Sequence, residues 1–181
     1  MPQKILEINT DGLKKAIPEL NVGDRVILSG VIYTARDAAH KKIFELLDEG
    51  KKLPFEISGA IIYYAGPTPA REGMAVGSCG PTTSSRMDKF SPRLLDLGLL
   101  CMIGKGERSE DVVDAIVRNK AIYLCAVGGA GALIARHIKS SEVVAFPELG
   151  CESIKRMTID KLPLTVGIDC NGASIYDHKI K

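Results

Sequence analysis

The sequence has no CxxC pair among its five cysteines, which stand at 79, 101, 125, 151 and 170. An odd number at wide spacing excludes a disulfide framework and a zinc ribbon. It has no basic run interleaved with aromatics. Its 24 Lys and Arg are spread along the chain against 22 Asp and Glu, for a net charge of +2. Nucleic acid is therefore not an expected partner. No apolar run reaches the length of a membrane span. The opening MPQKILEINTDG lacks the apolar core of a secretory signal. A soluble, cytoplasmic chain with reduced thiols is the expectation. Internal repeats, low-complexity segments and linkers are absent too. The 181 residues, 45% of them apolar, read as one domain over 1–181 with a proper core.

What is there alternates between strands and helices. Residues 4–8 alternate apolar and polar and predict a short strand. Asp11 is placed to cap a brief helix over 12–17, which Pro18 ends. Residues 25–34, RVILSGVIYT, predict a strand, and Gly30 inside it marks a bulge or a close backbone approach. Residues 35–49 predict a helix with Ala39, Ile43, Leu46 and Leu47 on one face and Gly50 as its stop. Residues 57–65 are apolar nearly throughout and predict a central strand. Residues 66–80 are loop, since Pro67 and Pro69 forbid a regular helix. Ser91-Pro92 opens a helix over 92–97. A strand over 99–103, a helix over 110–119 capped by Ser109, and a strand over 121–127 follow. Then come a helix over 132–138, a strand over 142–146, a helical segment over 152–158 and a last strand over 164–169. The alternation predicts a single α/β domain, with room for antiparallel strands in a mixed central sheet.

The densest polar stretch is residues 77–88, GSCGPTTSSRMD. It has no hydrophobic face at either helical or strand period, so it cannot be core. Two readings fit: a glycine-gated loop that holds reactive groups on a rigid strand, or a turn in which Thr82, Thr83 or Ser84 caps a short helix. Two more polar islands follow strands, and each carries a cation: Arg36 in TARD and Lys105 in GKG. With Arg86, three cations stand at three strand ends, and an α/β sheet binds ligands at that edge. Two guanidiniums and an ammonium suit a dicarboxylate. The plainer reading is three surface cations paired with Asp37, Asp88 and Glu107.

Other constellations carry less. GGAGAL after residue 127 invites a dinucleotide reading, but the third glycine of GxGxxG would fall on Ile134. Its glycines then serve to start a helix close to the sheet, or to hold a carboxylate on free N–H groups. His40 shares a helical face with Arg36 and reads as structural. His137 and His178 have no partner that sequence identifies. Cys101, Cys125 and Cys170 sit in apolar strands, where cysteine behaves as a small hydrophobe.

GPTTSSRMD resembles the signature of the small, or β, component of class I fumarate hydratases and L(+)-tartrate dehydratases. YTARDAAHKKI, PTPAREGMAVGSCGPTT, the GKG at 104–106 and YLCAVGGAGALIA resemble further markers of that family. The resemblance runs from about residue 28 to 172. It implies a swivelling β/β/α fold and reversible addition of water across a dicarboxylate double bond, fumarate to L-malate or a tartrate reaction. It also implies an oxygen-sensitive [4Fe–4S] cluster whose cysteines lie in a separate α component, so this chain would bind no cofactor or metal. The chain then looks like the β subunit of a two-subunit enzyme, a homodimer or an α2β2 assembly. By motif, Thr82 resembles the proposed catalytic base. Arg36, Arg86 and Lys105 resemble the residues that grip substrate carboxylates, with Asp37 and Asp88 as supporting partners of those cations. Cys79 is given no role. A stand-alone module for small carboxylates, and an iron–sulfur protein built on the five cysteines, are the alternatives from other classes.

Overall fold

The structure, a computed structural model, describes residues 3–177, so His178 lies outside the described residues. Seven strands form one mixed sheet: β1 (Ile5–Asn9), β2 (Arg25–Thr34), β3 (Ile61–Tyr63), β4 (Cys101–Gly104), β5 (Ile122–Cys125), β6 (Ile138–Ala145) and β7 (Ile154–Ile168). Five α-helices accompany them: α1 (Leu13–Ala16), α2 (Asp37–Asp48), α3 (Ser91–Asp96), α4 (Glu110–Asn119) and α5 (Gly131–Ala135). The sheet order is β1-β2-β3-β4-β5-β7-β6, with a further pairing of β2 to β7. That pairing closes β2, β3, β4, β5 and β7 on themselves. β2 to β5 run parallel, and β7 joins both ends of the set antiparallel. Closure removes free edges from the middle of the sheet.

Strand periodicity splits the core in two. Ile61, Tyr63, Cys101, Ile103, Ile122 and Leu124 point to one cluster, inside the closed sheet. Leu13, Ile17 and Leu20 from the α1 region fill the same cluster. The intervening Ile62, Tyr64, Met102 and Tyr123 point to the other cluster, against Ala39 and Ile43 of α2, Leu94 and Leu95 of α3, and Val112 and Ile116 of α4. Both faces of β3 to β5 are therefore buried, which is why these strands are apolar throughout. A fully buried side chain of this kind contributes roughly 1.5–3 kcal/mol, so even the three-residue β3 is firmly held.

Several sequence expectations change. The strand predicted over 57–65 is shorter, Ile61–Tyr63, although Ala60 O and Tyr64 N–H still bond to the β4 segment. Of the helix predicted over 152–158, Glu152 ends a 3-10 turn and the residues from Ile154 on start β7, paired to β2 on one side and β6 on the other. Gly30 is both things expected of it. The β2–β7 register shifts between Leu28 and Gly30, and a Cβ at Gly30 would meet Thr10 Oγ1 at 2.1 Å. Pro163 is tolerated inside β7 because it lies between Ile159, where β6 leaves, and Thr165, where β5 joins. Asp11 is not the cap near the N-terminus: Asn9 accepts the Asp11 N–H at 3.1 Å. Ser91 is not a cap either but the first residue of α3. Among the described residues no helix is long and apolar enough to cross a membrane.

Candidate active site

β2, β3, β4 and β5 are parallel neighbours, so their carboxyl ends share one end of the sheet. The chain leaves β2 into Ala35-Arg36-Asp37, and leaves β4 into Lys105. The long loop after β3 returns to the same end, where Thr82 N–H donates to Tyr64 O at 2.7 Å. Thr83 and Lys105 then form a parallel backbone bridge. The three cation-bearing islands therefore meet in space.

Arg36 precedes α2 in extended conformation. Its carbonyl accepts the His40 backbone N–H at 2.8 Å and lies 2.8 Å from His40 Nδ1. A carbonyl only accepts, so Nδ1 carries the ring proton. Burial lowers the His40 pKa to about 4; the bond to the Arg36 carbonyl opposes this, and the Arg108 charge adds to it. The ring is thus a neutral, buried anchor for the Arg36 carbonyl.

Asp37 joins the two arginines. Arg86 Nε donates to Asp37 Oδ1 at 3.0 Å, and Arg86 Nη2 is 2.9 Å from Asp37 Oδ2. Arg36 Nε is 3.9 Å from the same Oδ2. The Arg86 side chain is 51% exposed, so this pair contributes only about 0–1 kcal/mol to stability. Its consequence is geometric: one carboxylate sets the direction of two guanidiniums.

Asp88 departs from expectation. Its partner is not Arg36, Arg86 or Lys105 but Arg108, whose Nε donates to Asp88 Oδ1 at 2.7 Å. Ser109 N–H donates to Asp88 Oδ2 at 2.6 Å, so Asp88, and not the Ser109 hydroxyl, closes the start of α4. The Arg108 side chain is wholly buried. Its guanidinium carbon lies 5.4 Å from the Tyr64 ring centre and 4.9 Å from that of Tyr123. Arg108 Nη2 donates to Ser91 Oγ at 2.7 Å, and Ser91 Oγ donates to Met87 O at 2.9 Å. The sequence did not mark Arg108. It stands in GKGERSED, where a buried arginine and a solvated one look alike.

Thr82 and Lys105 are held by backbone. Ser84 N–H donates to Lys105 O at 2.9 Å, and Lys105 N–H donates to Ser84 Oγ at 3.1 Å. Tyr123 OH donates to Gly106 O at 3.0 Å, so the 2.9 Å contact between Ser84 Oγ and Tyr123 OH has serine as donor. Thr83, not Thr82, occupies the cap position of the short 3-10 turn Ser84–Met87, and its side chain makes no cap bond. The half-buried Thr82 hydroxyl makes no hydrogen bond among the described residues. Of the two readings of this loop, the helix cap is therefore not the role of Thr82.

Glycines allow the segments to touch. A Cβ at Gly131 would meet Gly80 N at 3.0 Å and Ser78 Oγ at 2.3 Å, and one at Gly128 would lie 3.4 Å from Lys105 Cδ. A Cβ at Gly104 would stand 2.0 Å from Ser84 Oγ and 2.9 Å from Tyr64 Cδ2. Both neighbours are fixed by hydrogen bonds, so they cannot yield freely. Gly104→Ala is expected to destabilise the chain by roughly 1–3 kcal/mol, as overpacking does. Thermal denaturation reads this directly, and an unchanged midpoint would mean that Ser84 can turn away.

The five cysteines are all free thiols. Burial pushes Cys79 up to about 12, and Cys79 O accepts the Tyr63 hydroxyl at 2.6 Å. Cys101 and Cys170 are also buried, and Cys151 is exposed.

Fold and site together define an α/β domain that gathers cations and a free hydroxyl at the carboxyl ends of parallel strands. The sequence model of the family described as Fumarase C-terminus matches residues 2–179, and the chain belongs to that family. It is 38% identical to Fumarate hydratase 2 of Leishmania major over 92% of this chain and 30% of that protein. It is 39% identical to the aerobic class I fumarate hydratase of Escherichia coli (strain K12), over 91% of this chain and 31% of that protein. The chain thus spans about a third of the fumarate hydratases it matches. A Methanocaldococcus jannaschii protein provisionally named L(+)-tartrate dehydratase subunit beta is 39% identical over 91% of this chain and 87% of its own length.

Proposed function

We propose that this chain is the carboxylate-gripping β component of a hydro-lyase that interconverts L-malate and fumarate. On this reading residues 1–181 act as one β-subunit-like domain of the swivelling β/β/α type. The observation that carries it is the convergence of Arg36, Arg86, Lys105 and the unpaired Thr82 hydroxyl at one sheet end. Class I fumarate hydratases among the relatives support the reaction class. The relative matched over most of its length carries a tartrate dehydratase name, which favours L(+)-tartrate as the second substrate to test.

The residues of this chain do not fit an iron–sulfur cluster. Cys79, Cys101 and Cys170 are buried in the apolar core, where they pack as small hydrophobes. Among the described residues no three of His, Cys, Asp and Glu gather as ligands. The cluster that the family resemblance implies therefore belongs, in this reading, to an α partner. That partner docks on the face bearing Arg36, Thr82 and Arg86, in a symmetric assembly of paired components in the cytoplasm.

The chemistry assigned to this chain is binding and proton transfer. Arg86 and Arg36 present planar donor forks whose angle Asp37 sets, and Lys105 adds a point charge. Held between them, a malate carboxylate fixes the C3–H bond toward Thr82. Thr82 Oγ1 accepts the C3 proton, the C3–H electron pair becomes the C2–C3 double bond, and the C2 hydroxyl leaves as hydroxide, which the partner's cluster would take up as a Lewis acid. A threonine oxygen is a weak base, so the neighbouring cations must favour its deprotonated form.

The test is to co-purify the chain with its native partner and assay malate, fumarate and tartrate anaerobically. Arg86→Lys and Arg36→Lys are then expected to lower kcat/KM for malate although charge is retained. Each replaces a bidentate fork with a point donor, a loss of roughly 1.5–3 kcal/mol. Wild-type kinetics in both variants would make these arginines structural.

A further inference from the structure

Three buried side-chain polar atoms, Arg36 Nε, Glu152 Oε1 and His40 Nε2, lack a hydrogen bond among the described residues, and Asp37 Oδ2 beside them has only its 2.9 Å ion pair with Arg86 Nη2. Buried polar atoms are bonded in nearly all native structures, so such exceptions need a cause. Here they are not scattered. Arg36, Asp37 and His40 stand together at the start of α2, and Glu152 approaches from a distant part of the chain. Arg36 Nε lies 3.5 Å from Glu152 Oε1, within ion-pair range but short of a hydrogen bond. Contacts of this kind in a ligand-free site often tighten only when substrate is bound.

The carboxylate is held in place by its own segment, the 3-10 turn Pro147–Glu152. Lys155 Nζ donates to Gly150 O at 3.1 Å, to Cys151 O at 3.2 Å and to Ser153 Oγ at 2.7 Å. Lys42 pairs with Glu148 and ties the turn to α2. On the other side stands the backbone of Gly66, where a Cβ would meet Arg36 Nη1 at 3.0 Å and Cys151 O at 3.4 Å. The Arg36 side chain is thus bounded by the Gly66 backbone and the Pro147–Glu152 turn. Asp37 is already engaged by both Nε and Nη2 of Arg86. Without Glu152, Arg36 would have to share that single carboxylate with a second guanidinium.

We infer that Glu152 is a positioning residue for Arg36. Its carboxylate takes the Nε edge of the guanidinium and leaves the Nη edge to a substrate carboxylate. This rests on the reading of Arg36 as a substrate-gripping residue.

Two measurements test it. The first is an arginine Nε–Hε correlation spectrum of the chain, wild type and Glu152→Gln, which needs no activity. The Arg36 resonance is expected to move and that of Arg118 to stay. An unmoved Arg36 resonance would overturn the contact. The second is a cycle of Glu152→Gln, Arg36→Lys and the double variant in the assembled enzyme. Glutamine keeps the shape and an acceptor oxygen but removes the charge. Glu152→Gln is expected to raise KM for malate about fivefold, the size of a partly exposed ion pair, with kcat within about twofold. In the Arg36→Lys background it should add nothing further. A Glu152→Gln variant with wild-type KM beside an impaired Arg36→Lys would overturn the Glu152 assignment alone. So would an effect that persists undiminished in the Arg36→Lys background. Arg36→Lys at wild-type KM would instead overturn the gripping role of Arg36, and the substrate side of this inference with it.

Discussion

Thr82→Ala is expected to leave the assembled enzyme folded and to lower its turnover by a factor on the order of 10²–10⁴, the usual range for a positioned base. The structure separates this from a stability effect. The Thr82 backbone N–H bonds Tyr64 O, a contact alanine keeps. The cap position of the following turn belongs to Thr83, whose side chain makes no cap bond. Removing the Thr82 hydroxyl therefore breaks no hydrogen bond among the described residues, and the cap penalty of about 1 kcal/mol does not apply. Thr83→Ala is the matched control and should be nearly silent in both stability and rate. Thr82→Ser should keep part of the rate, because the hydroxyl remains while its rotamer is less restricted. Exchange of the substrate C3 proton with solvent deuterium, followed by NMR, reads the step itself. An alanine variant that exchanges this proton at the wild-type rate would remove Thr82 from the mechanism and leave the base to the partner.

The cation-bearing islands were legible because each is a short polar break after an apolar strand. The limits of β2 and α4, predicted at 25–34 and 110–119, agree with the structure for a related reason. β2 begins after a turn and ends in a polar island, and α4 has acidic residues in its first turn and a left-handed Lys120 after its last. The start of β7 reads as helical in the sequence because its alternation is broken twice. Buried Ile154, Met157 and Ile159 are followed by Leu162, so steps of three interrupt the steps of two. Ile154, Met157 and Thr158 then fall at helical spacing. One break coincides with the left-handed Lys161, opposite the bulge at Gly30 in β2. Closure of the sheet was not legible at all, since β2 and β7 pair across more than a hundred residues and no local pattern records it. Glu152 is not legible either, since its approach to Arg36 is a contact across more than a hundred residues that no local pattern records. Asp88 reads from sequence as a partner of a cation, but of the wrong one, because burial of Arg108 depends on Tyr64, just after β3, and Tyr123 of β5.

That buried pair supports the second large prediction. Asp88→Ala is expected to destabilise the chain by roughly 3–5 kcal/mol, because it leaves the wholly buried Arg108 charge without its counterion. The Tyr64 and Tyr123 faces and the Ser91 hydroxyl remain, but none of them carries a compensating charge. Arg108→Met should cost less, about 1–3 kcal/mol. Methionine fills the slot between the rings, and Asp88, 13% exposed in its side chain, keeps the Ser109 N–H. The double variant Asp88→Ala/Arg108→Met should be more stable than Asp88→Ala alone, since no charge is then stranded. This order separates a buried charge from an ordinary surface pair, for which both single variants would lie within about 1 kcal/mol of wild type. Urea denaturation of the four proteins measures it. The position matters for the site as well as for the fold. Asp88 lies two residues after Arg86, and Arg108 two after Gly106, so the pair ties the signature loop to the loop that carries Lys105. Where Asp88→Ala still folds, its KM for malate should rise with the loosened Arg86, and Arg108→Met added to it should restore stability before it restores KM. A double variant less stable than Asp88→Ala would show that Arg108 contributes through its hydrogen bonds to Ser91 and Tyr64, and not through its charge.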